Sequence, residues 1–340
     1  MTDTILFLLV DGLTNGLVYA LLALSLVLVF TVTRVVNIAQ GEYVMLGALT
    51  LADLLQGRMP GTLYLLVGGL ALCVLLDAPR WRRDWRRALA FAGGLIVAAV
   101  AAVALTRGAL ALQLPVIGMM AVALVLVAPI GVLIYRFTVH PIPNATTIVF
   151  VIISVGVSMI VQGLGLLIWG ANPYPVDPIA SGGLMMGPVF IPYQSFAILI
   201  VALLSMGGLY LFSEFTLMGK ALQASAMNRL GAQFCGIPVN MAGGLAFLLA
   251  AAFSAISGML LAPLITANYE MGFMVGLKGF VGAAMGGLVD YPLSLVGVMI
   301  VGGLESTSAY LASAYRDVLV FSLLIPILLW RNAKQRVETR

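Results

Sequence analysis

Long, uninterrupted apolar runs dominate this chain of 340 residues, of which 62% are hydrophobic and 9% are charged. A water-soluble globule needs far more charge than this on its surface. The runs are continuous rather than alternating, which excludes the pattern of a β-barrel. Helices then remain, because each helix satisfies its own backbone hydrogen bonds in lipid. The sequence therefore predicts an all-α polytopic membrane protein, with residues 1–340 forming a single transmembrane domain.

The number of spans follows from the run lengths, since a membrane span needs about 20 apolar residues. We predict about 8–11 hydrophobic helical segments, with at least one broken or short helix. The second and ninth runs are short enough to be half-helices or re-entrant pieces. The eleven runs are Gly12–Thr31, Tyr43–Leu55, Thr62–Leu76, Ala88–Leu105, Ala109–Ile134, Thr146–Trp169, Gln194–Phe212, Ala242–Thr266, Leu277–Leu288, Leu293–Tyr310 and Val318–Trp330.

The basic residues between the runs predict the orientation, because Lys and Arg accumulate on the cytoplasmic side. An outside N-terminus and an inside C-terminus put thirteen of them inside and four outside. A net charge of +4 arranged in this way gives no sign of nucleic-acid binding. The inner residues are Arg34, Arg80, Arg82, Arg83, Arg86, Arg87, Arg136, Lys220, Arg229, Arg331, Lys334, Arg336 and Arg340, and the outer ones are Arg58, Arg107, Lys278 and Arg316.

The longest polar interruption in the second half of the chain is Glu214–Met241. Four apolar residues recur in it at every fourth position, which places them on one face of a short helix. Gly219 opens the segment, and Gly236 with Pro238 suits its end. The pattern predicts an amphipathic helix on the cytoplasmic surface, which either rests on lipid headgroups or docks a soluble partner. The apolar positions are Leu222, Ala226, Leu230 and Phe234.

Polar side chains inside apolar runs are costly in lipid and are therefore candidates for a transport path. The segment Asn37–Glu42 separates two runs and predicts either a broken helix whose polar groups meet a solute or an ordinary inner-side turn. Glu305 must face the protein interior, a water-filled path or a partner subunit. Gly12 and Gly16 indicate close helix packing. The candidate path residues are Asn37, Gln40, Gly41, Glu42 and Glu305.

The sequence contains no motif for catalysis. A phosphate-binding loop of the Gly-x-x-x-x-Gly-Lys-Ser/Thr type is missing, so the chain is not expected to hydrolyse ATP. His140, Cys73 and Cys235 give neither a metal-ligand spacing nor a disulfide framework. We predict a protein that is not an enzyme and that binds no metal or cofactor itself.

Several sequence blocks along most of the chain begin at Gly12-Leu13-Thr14-Asn15-Gly16, Val36-Asn37-Ile38-Ala39-Gln40-Gly41-Glu42, Ile153-Ser154-Val155-Gly156, Gly272-Phe273-Met274 and Tyr315-Arg316-Asp317. These blocks resemble the branched-chain amino acid ABC importer permeases of the LivH type. Gln40, Gln223 and Met227 depart from the family, which usually has a histidine, a basic residue and often an acid at these positions. The resemblance and the apolar face together assign ATPase coupling to residues of the 214–241 loop, namely Gly219, Lys220, Ala221, Leu222, Ala224, Ala226, Asn228, Leu230, Phe234, Gly236 and Ile237.

The resemblance implies a multi-pass permease of the bacterial inner membrane that imports branched-chain or other hydrophobic amino acids. It would pair with a second, LivM-like permease, with two ATPase subunits that carry ATP and Mg, and with an extracytoplasmic solute-binding protein. It would contact membrane lipid and no nucleic acid. Two alternatives stay open, a permease of the same family for urea, amides or aromatic acids, and an autonomous proton-coupled carrier that uses Glu42 or Glu305.

The region between residues 56 and 134 differs from the family in its number of apolar runs. Residues 56–134 hold three apolar runs where one is expected in the family, so we predict two extra spans joined by the basic loop Arg80–Arg87. That loop is either a lipid anchor or a partner surface.

The outer loop Asn172–Pro192 is rich in Pro and Gly. This composition predicts turns at most, and the loop is either a connector or part of a landing surface for the binding protein.

Overall fold

The computed structural model describes residues 2–77, 85–142, 145–186, 189–322 and 326. Within these residues the chain forms α-helices throughout, apart from one β-hairpin and the connections. The helices are α1 (Thr2–Thr33), α2 (Glu42–Leu55), α3 (Thr62–Asp77), α4 (Trp85–Ala111), α5 (Val116–Thr138), α6 (Thr147–Trp169), α7 (Tyr193–Phe215), α8 (Leu217–Met227), α9 (Arg229–Phe234), α10 (Val239–Ile265), α11 (Met271–Met285), α12 (Tyr291–Leu311) and α13 (Arg316–Ser322), and the strands are β1 (Gly183–Met186) and β2 (Val189–Pro192).

The described residues contain eight helical segments long and apolar enough to cross a membrane, together with the shorter apolar helices α3 and α11. These ten segments correspond to ten of the eleven predicted runs, so the all-α polytopic fold is confirmed. Most of the eleventh run, Val318–Trp330, lies outside the described residues. Residues 78–84 of the predicted basic loop lie outside them as well. The two extra spans and the orientation of the termini stay predictions.

The core of the bundle is built around α1 and α10. Helix α1 packs against α12, α10 and α11, while α10 also lies against α5 and α2. Helix α2 is buried along nearly its whole length. Helix α6 instead exposes large apolar side chains such as Ile148 and Leu167, which are 72% and 82% exposed. Such exposure suits helices that face lipid or another membrane subunit.

Small residues bring α1 and α12 into backbone contact. A Cβ on Gly12 would lie 2.8 Å from the Cα of Gly303, and a Cβ on Gly302 would lie 2.7 Å from the Cα of Gly16. Real Cβ atoms do not approach this closely, so glycine is required at this crossing. The predicted packing role of Gly12 and Gly16 is confirmed.

The chain breaks between α1 and α2, as the sequence predicts. Arg34 adopts a positive φ of 58°, and a 3₁₀ turn at Ile38–Gly41 leads into α2. A Cβ on Gly41 would lie 2.7 Å from the Cα of Gly276 in α11. The break is therefore packed inside the protein, where irregular backbone within a membrane protein is tolerated.

The loop Asn172–Pro192 is more regular than predicted. Strands β1 and β2 pair antiparallel, with Leu184 opposite Ile191. Tyr174 and Ala267 exchange two backbone hydrogen bonds of 2.7 and 2.9 Å, which tie this loop to the end of α10. Prolines forbid a helix here, but Pro192 sits at the last position of a short strand, where its missing N–H is tolerated.

Candidate functional site

The predicted amphipathic helix consists of two short helices, α8 and α9. The Thr216 hydroxyl accepts a 2.9 Å hydrogen bond from the amide of Gly219 and caps α8. Asn228 then takes extended backbone angles, φ −149° and ψ 104°, and its Oδ1 accepts a 3.0 Å hydrogen bond from the amide of Gly231. That bond makes Asn228 the N-cap of α9. Gly236, at φ 78°, ends the segment as predicted.

The predicted single apolar face is wrong, because the break at Asn228 reorients the second half of the segment. Leu222 is buried at 3% exposure, and Ala226 is half-buried against the core. Leu230 and Phe234 are 66% and 90% exposed. Residues of one uninterrupted helix face would share one environment, and these four do not. The asparagine begins a new helix instead of continuing the old one.

An apolar surface remains exposed on the α8–α9 segment. Met227 at the end of α8 is 86% exposed, and Leu230 and Phe234 lie four residues apart on one face of α9. We call Met227, Leu230 and Phe234 the exposed ridge. Lys220 is exposed nearby on α8. Large apolar side chains exposed together indicate a surface that contacts lipid or a partner.

The α8–α9 segment is mechanically connected to the centre of the bundle. Arg34 Nη2, at the end of α1, donates a 3.3 Å hydrogen bond to the carbonyl of Ala226. Helix α8 also packs against α7 and α10. Gly219 is buried so closely against the end of α7 that a Cβ would collide with the carbonyl of Phe212. These contacts join α8 to α7, to α10 and to the end of α1, where the break begins.

The amides at the break form a closed polar web. Gln40 Nε2 donates hydrogen bonds of 3.1 Å to Ser25 Oγ and 2.8 Å to Ser254 Oγ. Asn37 Nδ2 donates a 3.1 Å hydrogen bond to Gln40 Oε1. Both amides are buried. The web joins the break to α1 and α10, and in this conformation these side chains form their hydrogen bonds with one another.

Glu42 is a buried carboxyl group at the start of α2. Its Oε1 accepts a 2.6 Å hydrogen bond from Ser158 of α6, and its Oε2 finds no hydrogen-bond partner among the described residues. A Cβ on Gly272 of α11 would lie 2.8 Å from that Oε2. Three helices thus enclose Glu42, and glycine leaves the space beside its second oxygen.

Glu305 is the centre of an ion cluster at the end of the bundle opposite α8. Its Oε1 accepts a 2.6 Å hydrogen bond from Lys278 Nζ, and its Oε2 accepts one of the same length from Tyr19 Oη. Lys278 also lies 3.0 Å from Asp317 Oδ1, and Arg316 Nε lies 3.6 Å from Glu305 Oε1. The carboxylate therefore ties α1, α11, α12 and α13 together.

The prediction that Lys278 occupies an outer loop is wrong. Helix α11 begins at Met271, so Lys278 lies in its middle and is only 4% exposed. A buried ammonium is tolerated because Glu305 and Asp317 neutralise it.

Glu305 also borders a cleft of about 670 Å³ between α1, α7, α12 and strand β2. We call it the outer cleft, because it lies at the end of the bundle opposite α8. Its polar lining includes Asp11, Asn15 and Arg316. Thr14, which lies between Gly12 and Gly16, lines this cleft as well. The cleft brings Glu305 together with polar residues, whereas Asn37–Glu42 lie elsewhere, inside the packing of the break.

Two titratable groups outside the spans have shifted pKa values. Burial raises the pKa of Asp317, but the hydrogen bond and charge of Lys278 with the charge of Arg316 outweigh it, so the pKa lies below its usual value. The hydrogen bond from Tyr269 to Glu270 raises the pKa of the Tyr269 hydroxyl. The described residues contain no group of three or more His, Cys, Asp or Glu side chains able to hold a metal ion.

Several site residues are not apparent from the sequence. Ser25 and Ser254 complete the polar web, although each lies inside an apolar run like many other small residues. Tyr19 and Lys278 complete the ion cluster. For Lys278 a signal exists, since an ionisable residue within an apolar, glycine-rich run is expected to have a buried partner.

Comparison with known proteins identifies one family. The sequence model of a family described as branched-chain amino acid transport system / permease component matches residues 8–77 and 88–328. No solved structure matches the chain.

Curated relatives cover nearly the whole chain. The high-affinity branched-chain amino acid transport system permease protein LivH of Escherichia coli K12 is 27% identical over 326 residues, which are 94% of this chain and 91% of LivH. BraD of Pseudomonas aeruginosa, named as a permease protein of the same kind of system, is 26% identical over 330 residues, which are 95% of this chain and 92% of BraD. A probable branched-chain amino acid transport permease protein of Methanocaldococcus jannaschii is 27% identical over 315 residues, or 91% of this chain and 83% of that protein. The residues that the family model matches include the α8–α9 segment and most of the lining of the outer cleft, although Thr4 and Phe7 precede them.

Proposed function

The chain belongs to the branched-chain amino acid transport system permease family, and on that premise we propose that it is the membrane subunit of an ABC importer for branched-chain or other hydrophobic amino acids. Its relatives LivH and BraD are named as permease proteins of high-affinity branched-chain amino acid transport systems. The chain is a multi-pass inner-membrane protein, and its described part has eight membrane-capable helical segments. A second permease would complete the path, and an extracytoplasmic binding protein would deliver the solute.

The α8–α9 segment is the proposed contact with an ATPase subunit. The observation that carries this assignment is the exposed ridge, because Met227, Leu230 and Phe234 are 86%, 66% and 90% exposed, while Leu222 of the same segment packs on the bundle. Gln223 and Met227 carry no charge, so this contact would depend on apolar packing. The ATPase subunits, rather than this chain, would bind ATP and Mg.

The coupling route would run from α8 to the break after α1. Arg34 bonds the carbonyl of Ala226, and the break holds the polar web around Gln40. Closure of the ATPases would push on α8, shift α1 against α10 and open the web. Asn37, Gln40, Gly41 and Glu42 would then be exposed to the path at that stage of alternating access, and Glu305 would border it at the outer cleft.

The docking role is tested by placing a charge on the ridge. We expect Leu230→Asp with Phe234→Asp to abolish co-purification of the ATPase subunits, because a desolvated carboxylate has no partner in an apolar contact. Leu184→Asp is the matched control, since Leu184 is an apolar residue of the hairpin at the opposite end, 45% exposed. Ala226 is unsuitable because it is half-buried.

Both variants should insert into the membrane at the level of the parent protein. If the Leu230→Asp, Phe234→Asp variant still co-purifies with the ATPases, the docking role is refuted. If the ATPases are dispensable and uptake collapses with an uncoupler, the proton-coupled carrier is correct instead.

A further inference from the structure

The outer cleft contains an acid and a base whose hydrogen-bonding groups are not fully used by the protein. Asp11 Oδ2 accepts a 3.4 Å hydrogen bond from Asn15 and forms no ion pair within the part of the chain that the structure describes. The Arg316 side chain is 42% exposed, and its Nε lies 3.6 Å from Glu305 and 3.7 Å from Asp317. A guanidinium group has five N–H donors, so its outer nitrogens remain available to a ligand.

The charge balance behind the cleft leaves Asp11 unmatched. Lys278 and Arg316 supply two positive charges, and Glu305 and Asp317 supply two negative charges, so the ion cluster is neutral. Asp11 adds one carboxylate at the cleft wall. A ligand cation placed beside Asp11 would neutralise it, and a ligand anion would find the free edge of Arg316.

The remaining walls of the cleft are apolar. Phe7, Phe190 and Ile265 line it and are 51%, 49% and 41% exposed. Its volume of about 670 Å³ lies within the range of small-molecule sites. Exposed aromatic and branched side chains beside a charged pair fit a solute with a compact ionic head and an apolar tail.

We propose that the outer cleft is a solute subsite of the permease that binds an α-amino acid, with the ammonium group at Asp11, the carboxylate at Arg316 and the side chain against Phe7, Phe190 and Ile265. The proposal rests on the proposed function, since it places the solute of the importer on this chain. It also gives Arg316 a role in recognition that a purely structural ion cluster does not require.

Protection of a cysteine in the cleft provides the test. Ser195 lines the cleft, so Ser195→Cys is introduced with Cys235→Ala, which removes the exposed native thiol, while Cys73 is buried. The assembled importer is labelled with a charged thiol reagent in the presence of leucine. We expect labelling to slow about threefold at a leucine concentration of roughly twice its Kd. Leucinamide and 4-methylpentanoate, which lack the carboxylate and the ammonium group respectively, should protect far less.

Four further variants test the charged pair and separate binding from folding. Asp11→Asn and Arg316→Gln should each abolish the protection by leucine. Glu270→Gln and Arg107→Gln change an exposed acid and an exposed base that do not line the cleft, and protection should persist in both. Co-purification of the ATPases is measured in every sample, because its loss would concern the proposed function and not the subsite.

Three results would overturn the proposal while the importer assembles normally. Labelling could be unaffected by leucine, all three compounds could protect equally, or the Ser195→Cys thiol could be unreactive because water does not reach it. The first result would show that leucine does not bind in the cleft. The second would show that Asp11 and Arg316 do not recognise its charged groups, and the third would show that the cleft is closed to water.

Discussion

At the scale of single residues, the ion cluster shows how a charge is accommodated among apolar helices. Lys278 is 4% exposed and Glu305 is 5% exposed, so each offsets the cost of burying the other's charge. The pair has a large mutual attraction and a large desolvation cost. Its removal as a unit is therefore expected to cost less than the removal of either partner.

This expectation can be measured with a double-mutant cycle. Glu305→Gln should lower the free energy of unfolding by about 3 kcal/mol, because Lys278 keeps only Asp317 as a counter-ion. Lys278→Met with Glu305→Gln should recover much of that loss. Thermal unfolding of the purified protein in detergent gives the comparison. Losses that simply add in the double variant would show that the two residues do not act as a pair.

The pH dependence of stability should report Asp317. Its pKa is lower in the folded protein than in the unfolded chain, so the stabilisation is present at neutral pH and is lost as the pH falls through the folded pKa. The side chain is 43% exposed, so the effect should be no more than about 1 kcal/mol. Asp317→Asn should lower the unfolding temperature at pH 7, and the difference from the parent should close below about pH 4. A difference that is unchanged at acid pH would contradict this assignment.

At the scale of elements, the sequence predicts those helices and breaks that depend only on the composition of a short segment. The break at Asn37–Glu42 is predictable because amides, a glycine and an acid interrupt two apolar runs. The division of α8 from α9 is not, since Asn228 can sit within a helix or cap a new one, and the choice depends on its backbone angles. The link between Lys278 and Glu305 joins residues 27 positions apart. It exists only once α11 packs on α12.

The cap at Asn228 gives an element-scale prediction. Asn228→Ala removes the acceptor for the amide of Gly231 and should destabilise α9 by about 1 kcal/mol. If the exposed ridge docks the ATPase, the ATPase should then bind more weakly, because Leu230 and Phe234 lose their fixed positions. Asn228→Ser keeps a capping oxygen and should bind nearly as well as the parent. Equal binding by both variants would mean that the orientation of α9 is unimportant for docking.

At the scale of the whole molecule, the two proposed sites must lie on opposite sides of the membrane. The structure places the α8–α9 segment and the outer cleft at opposite ends of the bundle, because Tyr291 at the start of α12 borders the groove beside α8 while Glu305 near its other end borders the cleft. An importer that takes up solute outside and contacts an ATPase inside requires this separation. The predicted orientation then assigns each end to one compartment.

Native Cys235 allows that orientation to be tested with little alteration of the protein. It is exposed just after α9, while Cys73 is buried. A membrane-impermeant maleimide should leave Cys235 unlabelled in intact spheroplasts and should label it in inside-out vesicles. Leu184→Cys with Cys235→Ala moves the exposed thiol to the outer hairpin and should give the reverse pattern. Labelling of Cys235 in intact spheroplasts would place the exposed ridge outside, where no ATP-hydrolysing subunit could reach it, and the coupling role would have to be abandoned.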